Sequence, residues 1–303
     1  MNVFLENVNL NSNSGPNYFA QKLMKYLNFR NVTFNPLLEY NLKLSFIESY
    51  NQQPQLPMIQ RLDGIYFNAN FDCNKMNANI KRTYEDANGV IFQTNFNKEL
   101  IFKWFGPHPN YEVINNGSDV LKIQQIDINT KLNKFDNFDN IWTCAAHWHV
   151  FKRLKDNVQY FLYYGDEKDC LIVAGANPDY VIDHPRVFYV GNLDVSTLLS
   201  LFKRSTYFIH LAYLDHCPNV VMDARACGCQ IICSSAGGTR EIAGNSAIVI
   251  EEDQWDYSFL DIKEPPPLNY DNIVKTGVES NVSMVKVAKQ YYKFFEKTIK
   301  ESR

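Results

Sequence analysis

The densest chemistry in the sequence lies in Asp215–Gly244 (DHCPNVVMDARACGCQIICSSAGGTREIAG). Asp215 stands just past an apolar run that ends at Leu211. Asp223 follows it on a predicted helix, and Glu241 follows the Gly237-Gly238 pair. Between the two aspartates a Cys217-Pro218-Asn219 turn opens the helix near Val220. A helix amino end presents backbone N–H groups and a positive dipole end, which suits phosphate. Adjacent glycines let backbone approach a ligand closely. Carboxylates accept hydrogen bonds from vicinal hydroxyls. Singly, each feature has a plainer role: Asp215 as a helix cap, Asp223 as a surface acid, the glycines as a turn. Together, in this order, they describe a crevice for a ligand carrying both phosphates and sugar hydroxyls.

The surrounding pattern supplies elements to hold such a crevice. Short apolar runs alternate with amphipathic stretches, the mark of α/β architecture with parallel sheets. Strands are predicted at Val3–Leu5, Val32–Phe34, Leu42–Phe46, Met58–Leu62, Val90–Gln93 and Tyr111–Ile114. Helices are predicted at Asn17–Leu27, Asn74–Asp86 and Lys98–Phe105. Ile123–Asp139 is polar and reads as a linker. The alternation then restarts. Strands are predicted at Ile141–Ala145, Cys170–Ala174, Val187–Tyr189, Tyr207–Leu211, Gln230–Ser234 and Ala247–Ile250. Helices are predicted at Ser196–Arg204 and Val220–Cys227, and Lys152–Tyr163 mixes both signals. Glu264–Pro267 is a break, and Val282–Lys300 is a long amphipathic helix. The expected domains are 1–130, 131–280 and a closing helix over 281–303. In an open α/β sheet ligands bind at the carboxyl ends of strands, which is where Asp215 falls.

The Asp215–Gly228 row resembles the signature of glycosyltransferase family 4 (group 1) of the GT-B fold. That family carries two Glu residues separated by seven positions, around Pro-Asn and Ala-Cys-Gly landmarks, followed by an apolar strand and Gly-Gly-x-x-Glu-Ile. Here the spacing and landmarks are kept, while both acids are Asp, each shorter by roughly 1.5 Å of reach. The resemblance implies that Asp215 faces the donor sugar and Asp223 the ribose. It places Cys217, Pro218, Asn219 and Val220 at the donor, with the Asn219–Val220 backbone at the diphosphate. Trp142–Leu154 (WTCAAHWHVFKRL) is similar to the family's second patch, whose basic residues hold that diphosphate; His147, Lys152 and Arg153 fill those places, with Arg153 favoured. Ser12–Leu23 resembles the first loop, with Gly15 near donor phosphate. Gly191 belongs to the region that meets the base. Asp63 and Arg61, with Glu241, are candidates near the reacting centre, a structural salt bridge being the other reading of Asp63 and Arg61.

The resemblance further implies two Rossmann-like domains facing across a cleft, with the last helix crossing back to the N-terminal one. It implies a retaining, metal-independent transfer from a UDP- or GDP-sugar to a hydroxyl of a glycan, lipid or protein-linked acceptor, with the acceptor on the N-terminal side. No cofactor beyond that substrate is expected. No D-x-D pair ends a strand, as a metal-dependent transferase would favour. The seven cysteines contain no C-x-x-C pair and read as reduced, packed thiols rather than a zinc site. A net charge of −3 argues against nucleic acid. No signal peptide or membrane span is apparent, so a cytoplasmic location is expected, with peripheral membrane contact open. The Asn-, Lys- and Ile-rich composition resembles AT-rich bacterial or viral coding. Two alternatives stand beside the transferase: a weak or inactive GT-B glycan- or partner-binding protein, and a nucleotide-sugar epimerase.

Overall fold

The computed structural model describes residues 1–12, 14–50, 56–274 and 277–302. Asn13, inside the predicted first loop, lies outside them. The chain divides into two compact units. Unit 1 comprises Met1–Gly117, Asp256–Leu260 and Ser283–Arg303; unit 2 comprises Ser118–Trp255 and Asp261–Val282. The division falls at Gly117/Ser118, ahead of the expected boundary at 130.

Unit 1 is built on β1 (Val3–Glu6), α1 (Gly15–Asn28), β2 (Leu42–Phe46), β3 (Met58–Leu62), α2 (Cys73–Asp86), β4 (Gly89–Phe92), α3 (Asn95–Phe105) and β5 (Tyr111–Val113). The five strands form one parallel sheet in the order β1-β2-β3-β4-β5. The predicted strand Val32–Phe34 is reduced to a single parallel bridge between Asn2 and Thr33. Left-handed Asn31 (φ 58°) and Pro36 bracket it and leave no room for a longer ladder. That bridge still places chain on the far side of β1 from β2. The chain therefore changes direction across the sheet at β1, as in doubly wound folds. Helix ends follow local chemistry. Thr94 caps α3 by accepting from the Asn97 N–H, and Gly106 (φ 87°) with Pro107 ends it.

Unit 2 opens where a linker was expected. The expected linker over Ile123–Asp139 instead holds the end of α4 (Val120–Gln125) and a 3₁₀ turn (Thr130–Phe135). Gln124, Gln125, Asp127, Asp136 and Asp139 face water while Ile123 and Phe135 are buried, Phe135 edge-on to Phe188 at 5.1 Å. Averaged polarity concealed these widely spaced anchors. There follow β6 (Asn140–Ala145), α5 (Leu154–Tyr164), β7 (Asp169–Ala174), β8 (Val187–Gly191), α6 (Val195–Arg204) and β9 (Tyr207–His210). Beyond these come α7 (Asn219–Ala226), β10 (Gln230–Ser234), α8 (Thr239–Ile242), β11 (Ile248–Ile250) and β12 (Ile273–Val274). The ambiguous Lys152–Tyr163 stretch resolves as helix from Leu154. The strand order is β12-β11-β10-β9-β6-β7-β8. All pairings are parallel except β12, which the sequence reading missed and which pairs antiparallel with β11. It contributes only two residues, too few for an alternating pattern to register. The chain reverses between β6 and β9, so their carboxyl ends form the topological switch point.

The last helix, α9 (Met284–Glu301), belongs to unit 1 and packs beside α1. Tyr291, Phe294 and Phe295 enter the same core as Phe19, Leu23 and Leu44. No helix among the described residues is long and apolar enough to cross a membrane.

Candidate functional site

The switch point of unit 2 gathers a compact cluster of ionisable groups. β6 delivers the loop that carries His147, His149 and Lys152; β9 ends at His210 and leads to Asp215 and His216. The Lys152 ammonium forms an ion pair with Asp215 Oδ2. His210 Nε2 lies 2.9 Å from the same oxygen. Lys152 and Asp215 keep 18% and 15% of their side-chain surface exposed, so the pair borders solvent. His210 is buried, its ring nearly parallel to Phe208.

Burial opposes ionisation of Asp215, yet the Lys152 charge and the His210 hydrogen bond outweigh it. They hold its carboxyl well below the ordinary carboxylate range. The neighbouring imidazoles go the other way. Burial lowers His210 against the pull of Asp215. Burial lowers His216 to about 4, Asp215 opposing and Lys152 assisting. His149 is lowered by burial and by the nearby His147 and Lys152. At neutral pH Asp215 is therefore a carboxylate beside the neutral imidazoles of His210 and His216. Neutral His210 serves Asp215 as a hydrogen-bond donor through Nε2–H.

Backbone fixes Asp215 as firmly as side chains do. Leu214 is left-handed (φ 54°), and Asp215 forms a parallel bridge with Gly237. The Gly238 N–H donates to Asp215 O at 2.7 Å. At Gly237 (φ +93°) an added Cβ would sit 2.7 Å from Asp215 O and 2.8 Å from its N. Only glycine allows the β10–α8 turn to lie against the Asp215 segment. The two glycines thus shape the Asp215 backbone as well as opening space. Pro218 caps α7 with φ −66°, and Asn219 and Val220 are its first residues. Cys217 is buried in the core beneath. Asp223 lies in α7 and is buried, which sets aside the surface-acid reading; it accepts from the Ser118 hydroxyl at 2.6 Å.

Arg153, favoured for the donor diphosphate, is engaged elsewhere in the structure. Its backbone is left-handed (φ 53°) at the start of α5, and its side chain turns inward. The guanidinium makes a bidentate pair with Glu252, both bonds 2.8 Å, and a third bond to Pro266 O at 2.7 Å. It also lies over the Tyr213 ring at 4.9 Å. Ser234 donates to the same Glu252. Arg153 thus binds α5 to the ends of β10 and β11, and Lys152 is the cation at Asp215. Glu252, His210 and His216 escaped the sequence reading. His210 had a usable signal: a polar residue closing an apolar strand five positions before Asp215.

The remaining candidates are spread out. His147 is exposed on the β6 loop, its ring 4.7 Å from that of His149. Gly191 closes β8 with φ 69° and accepts from the Gly175 N–H at 2.8 Å. Glu241 sits half-buried in α8. Gly15, Arg61 and Asp63 belong to unit 1. Gly15 starts α1. Arg61 is buried, paired with Asp63, bonded to Asn116 at 2.7 Å and Tyr291 at 3.2 Å, and stacked over Phe19. Asp63 also accepts from Gln93 at 2.7 Å. These contacts favour the structural reading of the Arg61–Asp63 pair. Among the described residues no group of three or more His, Cys, Asp or Glu could hold a metal ion. All seven cysteines are free thiols.

Residues 183–262 match the family model described as Glycosyl transferases group 1, a span that includes β9, Asp215, α7 and the Gly237 turn. No curated protein sequence matches the chain. Solved structures match over nearly its whole length. Sucrose-phosphate synthase from Thermosynechococcus elongatus aligns with a TM-score of 0.70 at 12% identity, covering 98% of each chain. Anabaena HepE in complex with UDP and glucose aligns at 0.66 and 13% identity, covering 98% of this chain and 100% of its own. A glycosyltransferase from Rickettsia africae aligns at 0.66 and 12% identity, covering 99% and 98%. The chain has the GT-B fold, with a Rossmann-like sheet in each unit.

Proposed function

We propose that this chain is a retaining, metal-independent glycosyltransferase of group 1 that takes its sugar from a nucleoside-diphosphate donor held by unit 2. The observation that carries the reading is the Lys152–Asp215 pair at the β6/β9 switch point, beside the amino end of α7. A departing nucleoside diphosphate gains negative charge as its bond to the anomeric carbon breaks. Lys152 and the α7 amino end supply fixed positive charge where that develops. Asp215, ionised throughout the neutral range, accepts from donor hydroxyls, and Asp223 serves the ribose. His210 holds Asp215 when Lys152 turns to the diphosphate. The acceptor is a hydroxyl of a glycan or glycoconjugate and attacks on the face the leaving group vacates. The HepE neighbour holds UDP and glucose, which makes UDP-sugars the first donors to try.

The test is nucleotide release from a panel of UDP- and GDP-sugars with and without simple sugar acceptors. At least one donor should release its nucleotide, and Lys152→Ala should slow that release by about 100- to 1000-fold. A panel in which no donor shifts the melting temperature and none turns over ends the transferase reading. A second reading, a donor-binding protein without turnover, is favoured by the shortened Asp215 and its engagement by two neighbours. It predicts a melting shift with no release, and an unchanged outcome for Asp215→Ala.

A further inference from the structure

Helix α9 carries Lys286, Lys289, Lys293, Lys297 and Lys300 at successive spacings of three and four residues. Those spacings put all five on one face. All five are exposed, while Val287, Tyr291, Phe294 and Thr298 are buried on the other side. No acid interrupts the stripe. Glu296 lies to its flank and accepts from Tyr292. None of the five lysines takes part in an ion pair among the described residues. In a chain of net charge −3, this is a local concentration of cations against the overall sign.

The stripe has apolar company. α1 packs beside α9, and Arg30, just beyond α1, is close enough to Tyr292 to act on its hydroxyl electrostatically. Phe29, next to it, is 67% exposed. The loop that follows presents Leu37 at 90% and Leu38 at 52% exposure. The Asn2 side-chain amide ties that loop to the start of β1, donating to Leu38 O at 3.1 Å and Asn35 O at 2.9 Å. α9 ends at the same edge of the sheet: Thr298 accepts from Asn110, which leads into β5, and Phe294 covers Gly89 at the start of β4. The protruding leucines and the lysines of the second half of α9 thus lie at the strands' amino ends.

From this juxtaposition we infer that unit 1 docks on an anionic lipid surface, through the α9 lysine stripe with Phe29, Leu37 and Leu38 entering the headgroup layer. Lysines are attracted to an anionic leaflet without needing a fixed partner geometry. Apolar side chains held out in water gain by insertion at the interface. A nucleic acid or other soluble polyanion would use the lysines and leave the leucines without a role. The inference is independent of the proposed transferase activity.

The experiment is sedimentation of the full chain with vesicles of phosphatidylcholine alone and of an equal mixture of phosphatidylcholine and phosphatidylglycerol. Binding is expected to the mixed vesicles only, and to weaken with added salt. Each lysine neutralised is expected to lower partitioning about fivefold, so the triple variant K289Q/K293Q/K297Q loses about a hundredfold. Leu37→Ser with Leu38→Ser is expected to lower it about tenfold and to leave the salt dependence in place. All the altered side chains are exposed, so melting temperatures should hold, which separates lost docking from lost folding. Absence of binding to the mixed vesicles overturns the inference. So does binding that the leucine pair does not affect while duplex DNA competes it away, since that describes a general polyanion site.

Discussion

Both units place an ion pair at or just past the carboxyl end of a strand, yet the two pairs are built for different ends. In unit 1, Arg61 and Asp63 close β3, and the guanidinium is 1% exposed. Asn116, Tyr291, Phe19 and Phe46 surround it, so every direction in which it could reach is occupied. In unit 2, Lys152 and Asp215 follow β6 and β9 and keep 18% and 15% exposure. Here the cation is a flexible ammonium on a short 3₁₀ turn, and the carboxylate is held from behind by His210 while Gly238 fixes the Asp215 backbone. A charge walled in on all sides can only stabilise. A charge secured at its back and open at its front can exchange its partner for a ligand. Arg153 repeats the first design inside unit 2, one residue from Lys152, which exemplifies the second.

The largest test of that distinction is stability. Arg153→Ala strands the buried Glu252 carboxylate and should cost about 3–5 kcal/mol in urea unfolding; Arg61→Ala removes a buried guanidinium and its packing against Phe19 and should cost a comparable amount. Lys152→Ala should cost less than about 1 kcal/mol, because its pair borders water. It should nevertheless abolish most nucleotide release. If Lys152→Ala destabilises as much as Arg153→Ala, the two pairs share one design and the contrast fails.

Gly237→Ala comes next. Its Cβ must either push Asp215 away or strain a φ of +93°, a cost of about 1–3 kcal/mol. Because the pressure falls on the Asp215 backbone, donor binding should weaken more than Lys152→Ala weakens folding. Calorimetric titration with UDP alongside a urea melt reads both. A variant that loses stability and keeps donor affinity would show that Asp215 does not depend on the glycine turn.

How much of this was legible in the sequence follows from the range of the forces involved. Most strands and helices announce themselves by local periodicity, and Leu42–Phe46, Met58–Leu62 and Gln230–Ser234 fall where predicted. Asp215 and Lys152 were legible as candidates because motif spacing encodes them. That Lys152 and not Arg153 meets Asp215 was not legible. It turns on a single left-handed residue at the head of α5 and on Glu252, ninety-nine positions away in sequence. The packed segment over 118–139 was lost for a related reason. Its buried anchors are separated by long polar stretches, and their partners, such as Phe188, lie on other elements. The pairing of Asp63 with Arg61 was foreseen as one of two options, and the ring of neighbours around Arg61 favours the structural one.

Acid should act more on unit 2 than on unit 1. An unfolded His216 takes up its proton near its ordinary value of 6.5, whereas the folded residue resists to about 4. Between those values the unfolded chain binds more protons, so stability falls as pH drops from about 6.5 to about 4 and the effect is complete below that. His210 and His149, also lowered, act in the same direction. Asp215 is depressed instead. Its contribution is present above the unfolded carboxylate range and is lost only as pH falls through its much lower folded value, outside this window. Urea melts across pH 4–7 should show the slope, and His216→Gln should flatten it. A slope that survives in His216→Gln unchanged would move the acid sensitivity away from the cluster.

The smallest effect is also the most local. Ser118 is the first residue of unit 2, fully buried, and its hydroxyl donates to Asp223 Oδ1 at 2.6 Å. Ser118→Ala removes one hydrogen bond to a buried carboxylate, so about 1 kcal/mol of stability should go. If Asp223 meets the donor ribose, the loosened carboxylate should also bind UDP a few-fold less well, while affinity for free diphosphate stays the same. Titrating both ligands into the variant separates the outcomes. A loss confined to UDP puts Asp223 on the ribose and makes α7 a reader of the nucleoside as well as of phosphate. An equal loss for both would mean that Ser118 supports the whole α7 amino end. In that case Asp223 is a strut like Glu252, and Lys152 with Asp215 remains the one pair in this comparison open to a ligand.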